Sequence, residues 1–251
     1  MIDEFDVELF RGDLSDQVGL YQELLDEELE ENPRIVITEF DSRGIMLSRN
    51  DPLSLVKENN VEVVRRPFSG SAFPINPDNI HFAISRSRSN DDFAENQLSD
   101  VMENIISEYF PNSGVEFDED NWDTLIDGVY PVAGLAWRQN QDREVYAGFI
   151  TYEKWDAEAI SNMFELRDIE YDLISDMPFL NGKVERNELI NELIQYFSSD
   201  NVITEYNDSV NSNPEFWELS YDAPHGPYRG FCPITPSILE EYRQSSEFSQ
   251  K

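Results

Sequence analysis

The feature that most constrains this chain is its acidic charge. It carries 52 aspartate and glutamate residues against 18 lysine and arginine residues, a formal net charge of −34 at pH 7. Such a charge repels itself in dilute buffer, whereas at 1 M salt the screening length falls to about 3 Å. Lysine is scarce and occurs at Lys57, Lys154, Lys183 and Lys251. We therefore expect a halophilic protein that folds in a salt-rich cytoplasm.

The carboxylates are interleaved with apolar residues along the whole chain. A chain of 251 residues with 39% hydrophobic content can bury one substantial core, so we expect a folded protein rather than a disordered acidic tail. An acidic surface excludes nucleic-acid binding as the main function, because phosphates would be repelled. No stretch approaches the ~20 apolar residues of a membrane span, and residues 1–6 lack a signal-peptide pattern, so we expect a cytoplasmic protein. An acidic decoy that captures basic partners remains an alternative.

Few residues suggest metal or thiol chemistry. A single cysteine, Cys232, excludes an intramolecular disulfide and a thiolate cage, and no base in its sequence neighbourhood would activate it as a nucleophile. His81 and His225 lie too far apart in sequence to suggest a metal pair, and His81 is interpreted as a core residue. The acidic run 118–120 with Asp123 is interpreted as a solvated loop. The sequence predicts no metal site.

Periodicity predicts the secondary structure. Apolar residues at helical spacing predict amphipathic helices over 14–30, 92–109 and 187–198, and a short helix over 52–59. Runs of β-branched residues predict a hairpin of strands 34–40 and 45–47, then strands 61–64 and 81–85 separated by a polar loop. Strands 115–117, 124–126, 130–138 and 144–151 predict an antiparallel meander.

These elements predict the fold class. Strands grouped between packing helices favour an α+β fold, a mixed or antiparallel sheet packed by helices, over a doubly wound parallel sheet. From about residue 155 we expect a smaller helical annex. We expect one domain over 1–198, with its core at 34–151, and an irregular C-terminal extension over 199–251.

Two segments carry candidate binding chemistry. Arg65 and Arg66 end a strand and are followed by Ser69, Gly70, Ser71 and Ala72, small residues that let a ligand approach the backbone. Two adjacent arginines in so acidic a chain suggest an anionic ligand, although pairing with surface carboxylates is the alternative. Downstream, strand 130–138 holds a second small-residue patch around Gly134, and Gly148 follows on the next strand.

The order of these motifs resembles the biotin and lipoate A/B protein ligase superfamily, specifically the lipoate-protein ligase A branch. Residues 64–73 resemble that family's arginine pair and glycine-rich loop, with serines at two glycine positions, and residues 77–80 resemble the turn that follows it. Residues 47–50 are similar to its Gly-Arg-x-Gln motif. The resemblance implies ligand contacts from Arg65, Arg66, Ser69, Gly70, Ser71, Ala72, Asn79, Val132, Gly134, Ala136 and Gly148.

One position departs from the family in a chemically important way. Residues 131–134, Pro-Val-Ala-Gly, resemble the family's Lys-Ile-Ala-Gly signature with Pro131 in place of the lysine. In the family that lysine reaches the carboxyl and phosphate groups of an acyl-adenylate, and losing one such contact costs roughly 3 to 4 kcal/mol. Arg138 on the same strand or Arg49 could supply the missing charge. The catalytic residue is therefore left unassigned.

The resemblance implies two alternative functions. In the first, the protein is a lipoate-protein ligase-like enzyme that uses ATP, and Mg²⁺ with it, to activate lipoate or octanoate and transfers the acyl group to a lysine of a lipoyl-domain carrier protein. In the second, it is a catalytically impaired relative that binds a ligand or partner, or one part of a two-part ligase. We expect either a monomer or a subunit of such a pair.

Overall fold

The computed structural model describes residues 5–26, 32–48, 51–57, 61–66, 68, 72–88, 93–163, 165, 168–197 and 204–205. Its centre is an eight-stranded mixed sheet. In spatial order the strands are β11 (Thr204–Glu205), β1 (Asp6–Gly12), β2 (Arg34–Phe40), β6 (Ile80–Ser87), β10 (Arg143–Ile150), β9 (Tyr130–Gln139), β8 (Asp123–Ile126) and β7 (Val115–Asp118). β1 runs parallel to β2 and to β11, and the other neighbours are antiparallel. The α+β class and the antiparallel meander are confirmed.

A second, three-stranded sheet lies over one face of the first. It consists of β4 (Glu62–Arg65), β3 (Gly44–Leu47) and β5 (Phe73–Ile75), in that spatial order. β3 pairs in parallel with β4 and antiparallel with β5, and it does not pair with β2. The predicted hairpin of 34–40 and 45–47 is therefore wrong, because the turn between these strands passes the chain from one sheet to the other. The predicted polar loop before β6 likewise contains β5.

The described helices are α1 (Leu14–Asp26), α2 (Ser99–Tyr109), α3 (Ala157–Met163), α4 (Asp168–Asp176) and α5 (Arg186–Phe197). α1 packs on one face of the large sheet and α2 and α5 on the other, whereas α3 packs against the small sheet. A π-helical turn over Phe93–Leu98 leads into α2, and a 3₁₀ turn at Leu53–Leu55 stands where a short helix was predicted. No helix in the described ranges is long and apolar enough to cross a membrane.

The face covered by α2 and α5 is tightly filled. Apolar side chains of β1, β2, β6, β9 and β10 pack there against both helices in one hydrophobic cluster. Leu189, Leu193 and Phe197 of α5 are buried in that cluster. This helix is therefore part of the main body, so the predicted annex from residue 155 is wrong for 186–197, because the apolar stripe of α5 needs the sheet to bury it.

The opposite face is covered by α1 and the small sheet. The start of α1 is fixed by a reciprocal capping pair, in which the Asp16 N–H donates to the Asp13 carboxylate at 2.8 Å and the Asp13 N–H donates to Asp16 at 3.2 Å. Glu62 of β4 accepts hydrogen bonds from the Leu14 and Ser15 N–H groups at 3.2 and 3.1 Å. A carboxylate at a helix N-terminus is stabilising, so this contact joins α1 to the small sheet.

Candidate functional site

A cavity of about 320 Å³ lies between α1, the small sheet and strands β6, β10, β9 and β8. Its polar lining residues come from all of these layers. They are Gln17, Tyr21, Arg66, His81, Asp120, Asn121 and Asp123. The remaining lining residues are small or apolar, and they are Ala72, Phe73, Ile75, Pro131, Gly134, Leu135, Ala136, Ala147, Gly148 and Phe149. The cavity can therefore hold a partly apolar ligand that carries charge.

Small residues on the sheet create the space. Gly134 and Ala136 of β9 and Ala147 of β10 project toward α1, because alternate residues of a strand share a face. A Cβ atom at Gly134 would lie 2.6 Å from Asp123 Oδ1 and 2.7 Å from the Phe149 ring. Glycine is thus required there for both of those side chains to approach the strand.

Arg66 supplies the cation of the cavity wall. It follows β4, and its N–H donates to the Leu47 carbonyl at 2.9 Å, which fixes its backbone beside β3. Its guanidinium lies 4.7 Å from the centre of the Phe73 ring, a cation–π distance. Burial lowers the pKa of Arg66 to about 10, against a smaller opposing effect of Tyr21 and Asp51, so the side chain is protonated at neutral pH. An anionic group of a ligand would meet this charge.

Arg65 has a different position. Its guanidinium is buried away from the cavity and donates to the backbone carbonyls of Ser48 and Asp51, both at 2.8 Å. It thereby fixes the segment that follows β3. The two arginines are adjacent in the sequence motif, but the Arg66 side chain lines the cavity and the Arg65 side chain binds backbone carbonyls. This difference is expected, because successive side chains at a strand end point to opposite faces of the sheet.

The cavity wall formed by α1 and β6, opposite the small sheet, carries neutral polar groups. The Gln17 amide nitrogen donates to the Thr38 hydroxyl at 3.1 Å. Tyr21 packs edge-on against Phe68, with ring centres 4.8 Å apart, and burial raises the pKa of its hydroxyl. His81 contacts the Asn76 carbonyl through Nε2 at 3.1 Å, and burial lowers the pKa of His81 to about 4. All three side chains are therefore uncharged at neutral pH.

The edge of the cavity at β8 is acidic. Asp120, Asn121 and Asp123 line it beside Pro131. Burial, and secondarily the charge of Asp118, raises the pKa of Asp123 to about 6. Trp122 between them has φ of 63°, in the left-handed region that bulky residues rarely adopt, and its ring stacks on Trp137 at 5.9 Å. This backbone turn packs the partly buried indole against the cluster on the far face and leaves its two neighbours facing the cavity.

Several of the expected binding residues meet at this cavity. Arg66, Ala72, Gly134, Ala136 and Gly148 all line it, and so does Pro131, the position of the family lysine. No lysine among the described residues lines the cavity.

Other expected residues lie elsewhere. The Asn79 side-chain oxygen accepts hydrogen bonds from the Tyr152 and Glu153 N–H groups, both at 2.9 Å, and so orders the segment after β10. Val132 is buried in the cluster under α2 and α5. Arg138 is on the cavity side of β9 but does not reach the cavity lining. Arg49, Ser69, Gly70, Ser71, Cys232 and His225 lie outside the described residues.

The sequence did not single out Gln17, Tyr21 or Asp123 as site residues, and it assigned His81 to the core. Gln17 and Tyr21 are one turn apart on the buried face of α1. Polar residues on a helix face that is otherwise apolar are the one sequence feature that could have indicated them as site residues.

The oxygen ligands offered by Asp120, Asn121 and Asp123 are of the type that suits a hard cation such as Mg²⁺. Within the described ranges, no group of three or more His, Cys, Asp or Glu side chains is arranged to hold a metal.

Comparison with known proteins identifies the fold. No protein-family model and no curated protein sequence matches the chain. Among solved structures, it resembles a bi-partite lipoate protein ligase studied with its E2 lipoyl domain from Thermoplasma acidophilum, with a TM-score of 0.66 at 16% identity, covering 84% of this chain and 90% of that one. It resembles Plasmodium falciparum LipL1 in complex with lipoate, with a TM-score of 0.65 at 17% identity, covering 84% and 68%.

A third similar structure is lipoate-protein ligase A bound with ATP, with a TM-score of 0.66 at 14% identity, covering 95% of this chain and 100% of that one. At these identities the likeness establishes the fold. The chain has the fold of the lipoate-protein ligases, and the resemblance that its sequence motifs predicted is confirmed at that level.

Proposed function

We propose that this protein binds the acyl-adenylate of a carboxylic acid of the lipoate or octanoate class, as a lipoate-protein ligase-like enzyme of a salt-rich cytoplasm. The observation that carries this proposal is the meeting of Arg66 with the glycine and alanine residues of β9 and β10 in one cavity. A buried cation suits the carboxyl and phosphate groups of such a ligand. The small residues beneath it leave room for the acyl chain.

The residues present fit ATP and Mg²⁺ in their chemical type. Arg66 offers charge-assisted hydrogen bonds to phosphate oxygens, and Asp120 and Asn121 offer oxygen ligands of the kind that Mg²⁺ prefers. Magnesium, when bound, would neutralise phosphate charge and so help the carboxylate attack the α-phosphate, with pyrophosphate as the leaving group. The chain's own contribution is to orient the acid with Arg66 and to exclude water with Phe73 and Phe149 above the strands.

The acceptor would be a lysine on a lipoyl-domain carrier protein. One structural neighbour was studied with its E2 lipoyl domain, and it is bi-partite, which supports both a carrier partner and a second ligase subunit for this chain. Transfer would leave AMP and form an amide on the acceptor lysine, whose amine must lose its proton. Asp123 lies at the cavity edge, and burial raises its pKa to about 6, which suits it to receive a proton there.

Pro131 favours a second candidate function. It lines the cavity where the resemblance implies a lysine, and proline cannot provide that charge. The alternative is therefore a relative that binds the acyl ligand without activating it, as a regulatory protein or as one part of a two-part ligase.

Exchange of pyrophosphate with ATP separates the two functions. Purified protein in molar KCl is incubated with ATP, Mg²⁺ and either lipoate or octanoate, and acid-dependent exchange is measured. If the protein is a ligase-like enzyme, we expect exchange and, after a lipoyl domain is added, an increase in the mass of that domain at one lysine. Binding of lipoyl-AMP or octanoyl-AMP without exchange would select the non-catalytic alternative, and absence of both would contradict the proposal.

A further inference from the structure

Phe73 carries the ring on which the Arg66 guanidinium lies. The guanidinium carbon is 4.7 Å from the centre of that ring, and Arg66 is only 4% exposed. A cation–π contact gains strength when the cation is withdrawn from water. Both residues line the cavity, so this contact borders the space that a ligand would occupy.

The small sheet brings the two residues together although their strands are not neighbours. Arg66 follows β4, Phe73 begins β5, and β3 lies between these strands. Two strand spacings are about 9.5 Å, so the arginine side chain reaches across β3 to the ring. Met46 of β3 is the register partner of both Val64 and Phe73, which places these three side chains on one face. Arg66 is two residues beyond Val64 and therefore shares that face.

Phe149 of β10 fixes the Phe73 ring from the large sheet. The two ring centres are 5.6 Å apart, and the ring planes are inclined by 22°. A Cβ atom at Gly134 would lie 2.7 Å from the Phe149 ring, so this glycine leaves the place that Phe149 occupies. The guanidinium thus lies on a ring that is itself stacked against the large sheet.

A guanidinium held in this way is prepared for an anion. A mobile arginine side chain loses rotamer freedom when it binds a ligand, and this loss opposes binding. A side chain that is already ordered in the free protein loses less. A guanidinium that lies on a ring directs its N–H groups outward in its own plane, and this arrangement suits the oxygens of a phosphate group.

We propose that Phe73 is a positioning residue, which orders the Arg66 guanidinium for the phosphate group of an acyl-adenylate. This inference rests on the proposed function and adds to it a residue that acts through Arg66. The strength of a cation–π contact corresponds to about fivefold in affinity. A side chain that only covered the strands would contribute equally to the binding of ligands with and without a phosphate.

The test compares two ligands that differ only in the phosphate. Octanoyl-AMP and 5′-O-octanoyladenosine, which lacks the phosphate, are titrated into the full-length protein in molar KCl by calorimetry. The ratio of their affinities is the phosphate preference. We expect a preference of about tenfold or more in the wild-type protein and near unity in Arg66→Met. Because the ratio is taken within one protein, an unfolded fraction lowers both affinities equally and cancels.

Three variants separate positioning from simple packing. Phe73→Leu removes the ring and keeps an apolar side chain, so it should reduce the phosphate preference about fivefold. Phe73→Tyr keeps the ring and should retain the preference. In the Arg66→Met background, Phe73→Leu should not change the preference further, because the two residues act as a unit. Phe73→Met replaces Phe73→Leu in the test if the leucine variant does not fold.

Phe110→Leu is the matched control. The Phe110 ring also carries a cation, with Lys183 Nζ 4.2 Å from its centre, but neither residue lines the cavity. This variant loses a contact of the same kind elsewhere in the molecule. It should therefore leave the phosphate preference unchanged.

Several results would overturn this inference while leaving the binding of the acyl ligand intact. They are equal affinity of the wild-type protein for the two ligands, a phosphate preference that survives unchanged in Phe73→Leu, and a preference that is lost equally in Phe73→Tyr. A preference that Phe73→Leu lowers further in the Arg66→Met background would also overturn it. If the wild-type protein binds neither ligand, the proposed function itself fails.

Discussion

The two faces of the large sheet are built from the same strands and yet differ in what they bury. On the face under α2 and α5, aromatic rings fill the space, and Trp122 stacks on Trp137 and Tyr146 at 5.9 and 6.3 Å. On the face under α1, the same strands present Gly134, Ala136 and Ala147, and a cavity remains. Alternation along β9 and β10 thus separates a stabilising face from a binding face, one residue apart.

This comparison predicts that changes on the cavity face alter ligand chemistry and changes on the filled face alter stability. The largest expected effect on the cavity face is that of Pro131→Lys. It supplies the charge that the family motif contains, and a contact of this kind is worth roughly 3 to 4 kcal/mol, a hundredfold or more in rate. We expect acid-dependent pyrophosphate exchange to rise by at least that factor.

Pro131→Gln is the matched control, because it restores the backbone N–H and a long side chain without the charge. A rate increase in the glutamine variant equal to that in the lysine variant would show that proline's backbone, rather than the missing cation, limits the activity.

The adjacent arginines give the next largest contrast. Arg65→Met removes the buried guanidinium that donates to the Ser48 and Asp51 carbonyls, so we expect the free energy of unfolding to fall by about 2–4 kcal/mol. Arg66 faces the cavity, so Arg66→Met should change the free energy of unfolding by less than about 1 kcal/mol. Denaturant titration in molar KCl measures both, and an equal loss in the two variants would contradict the separation of roles.

Two glycines sharpen the same contrast. The backbone of Gly148 borders the cavity, but a Cβ there would point to the filled face and lie 2.3 Å from the Phe82 ring, so Gly148→Ala should cost about 1–3 kcal/mol of stability through overpacking. Gly134→Ala displaces Asp123 or Phe149 instead and should mainly weaken ligand binding. Gly114→Ala is a neutral control, because a Cβ at Gly114 would lie no closer than 3.8 Å to its nearest neighbour, Asp127 Oδ1. Thermal unfolding of Gly148→Ala at the wild-type temperature would contradict the assignment of faces.

The smallest expected effect is a pH dependence from Asp123. Its pKa is raised to about 6 in the folded protein, so protonation stabilises the fold below that pH and this contribution is lost as the pH rises through 6. Without divalent cations, an anionic adenylate should bind a few-fold more weakly at about pH 7.5 than at about pH 5, since the ionised carboxylate repels it.

Arg66 and His81, which also line the cavity, do not titrate in that interval. Arg66 has a pKa of about 10 and His81 of about 4, and the hydrogen bond from the Asn121 side chain holds the pKa of Asp118 below its usual value. Asp123→Asn should therefore abolish the dependence. A pH profile that is unchanged in this variant would assign the effect to another group.

Local patterns predicted the parts of the fold that depend on neighbouring residues. The meander of β7 to β10 follows from alternation and short turns, and α5 follows from its apolar spacing. The pairing of β3 with β4 and β5 was not predictable, because it joins segments that are not adjacent in sequence and depends on how the sheets stack. The sequence also could not show that α5 belongs to the main core, since its apolar stripe is the same whichever partner covers it.

The site was partly predictable for the same reason. Arg66 and Gly134 were found through local motifs, but the motif could not distinguish Arg66 from Arg65, because which arginine faces the cavity depends on the strand register. Gln17 and Tyr21 lie on a helix face that reads as core. Only the packing of α1 over small residues of β9 and β10 turns that face into the wall of a cavity.

The most direct test of the central claim, that Arg66 and the small residues of β9 hold an acyl-adenylate, is calorimetric titration with lipoyl-AMP in molar KCl. The wild-type protein should bind lipoyl-AMP with measurable heat. Arg65→Met should also bind this ligand under conditions in which the variant is folded, and Arg66→Met should bind the ligand at least tenfold more weakly than the wild-type protein does. No heat with the wild-type protein, or equal affinity in a folded Arg66→Met, would contradict the account.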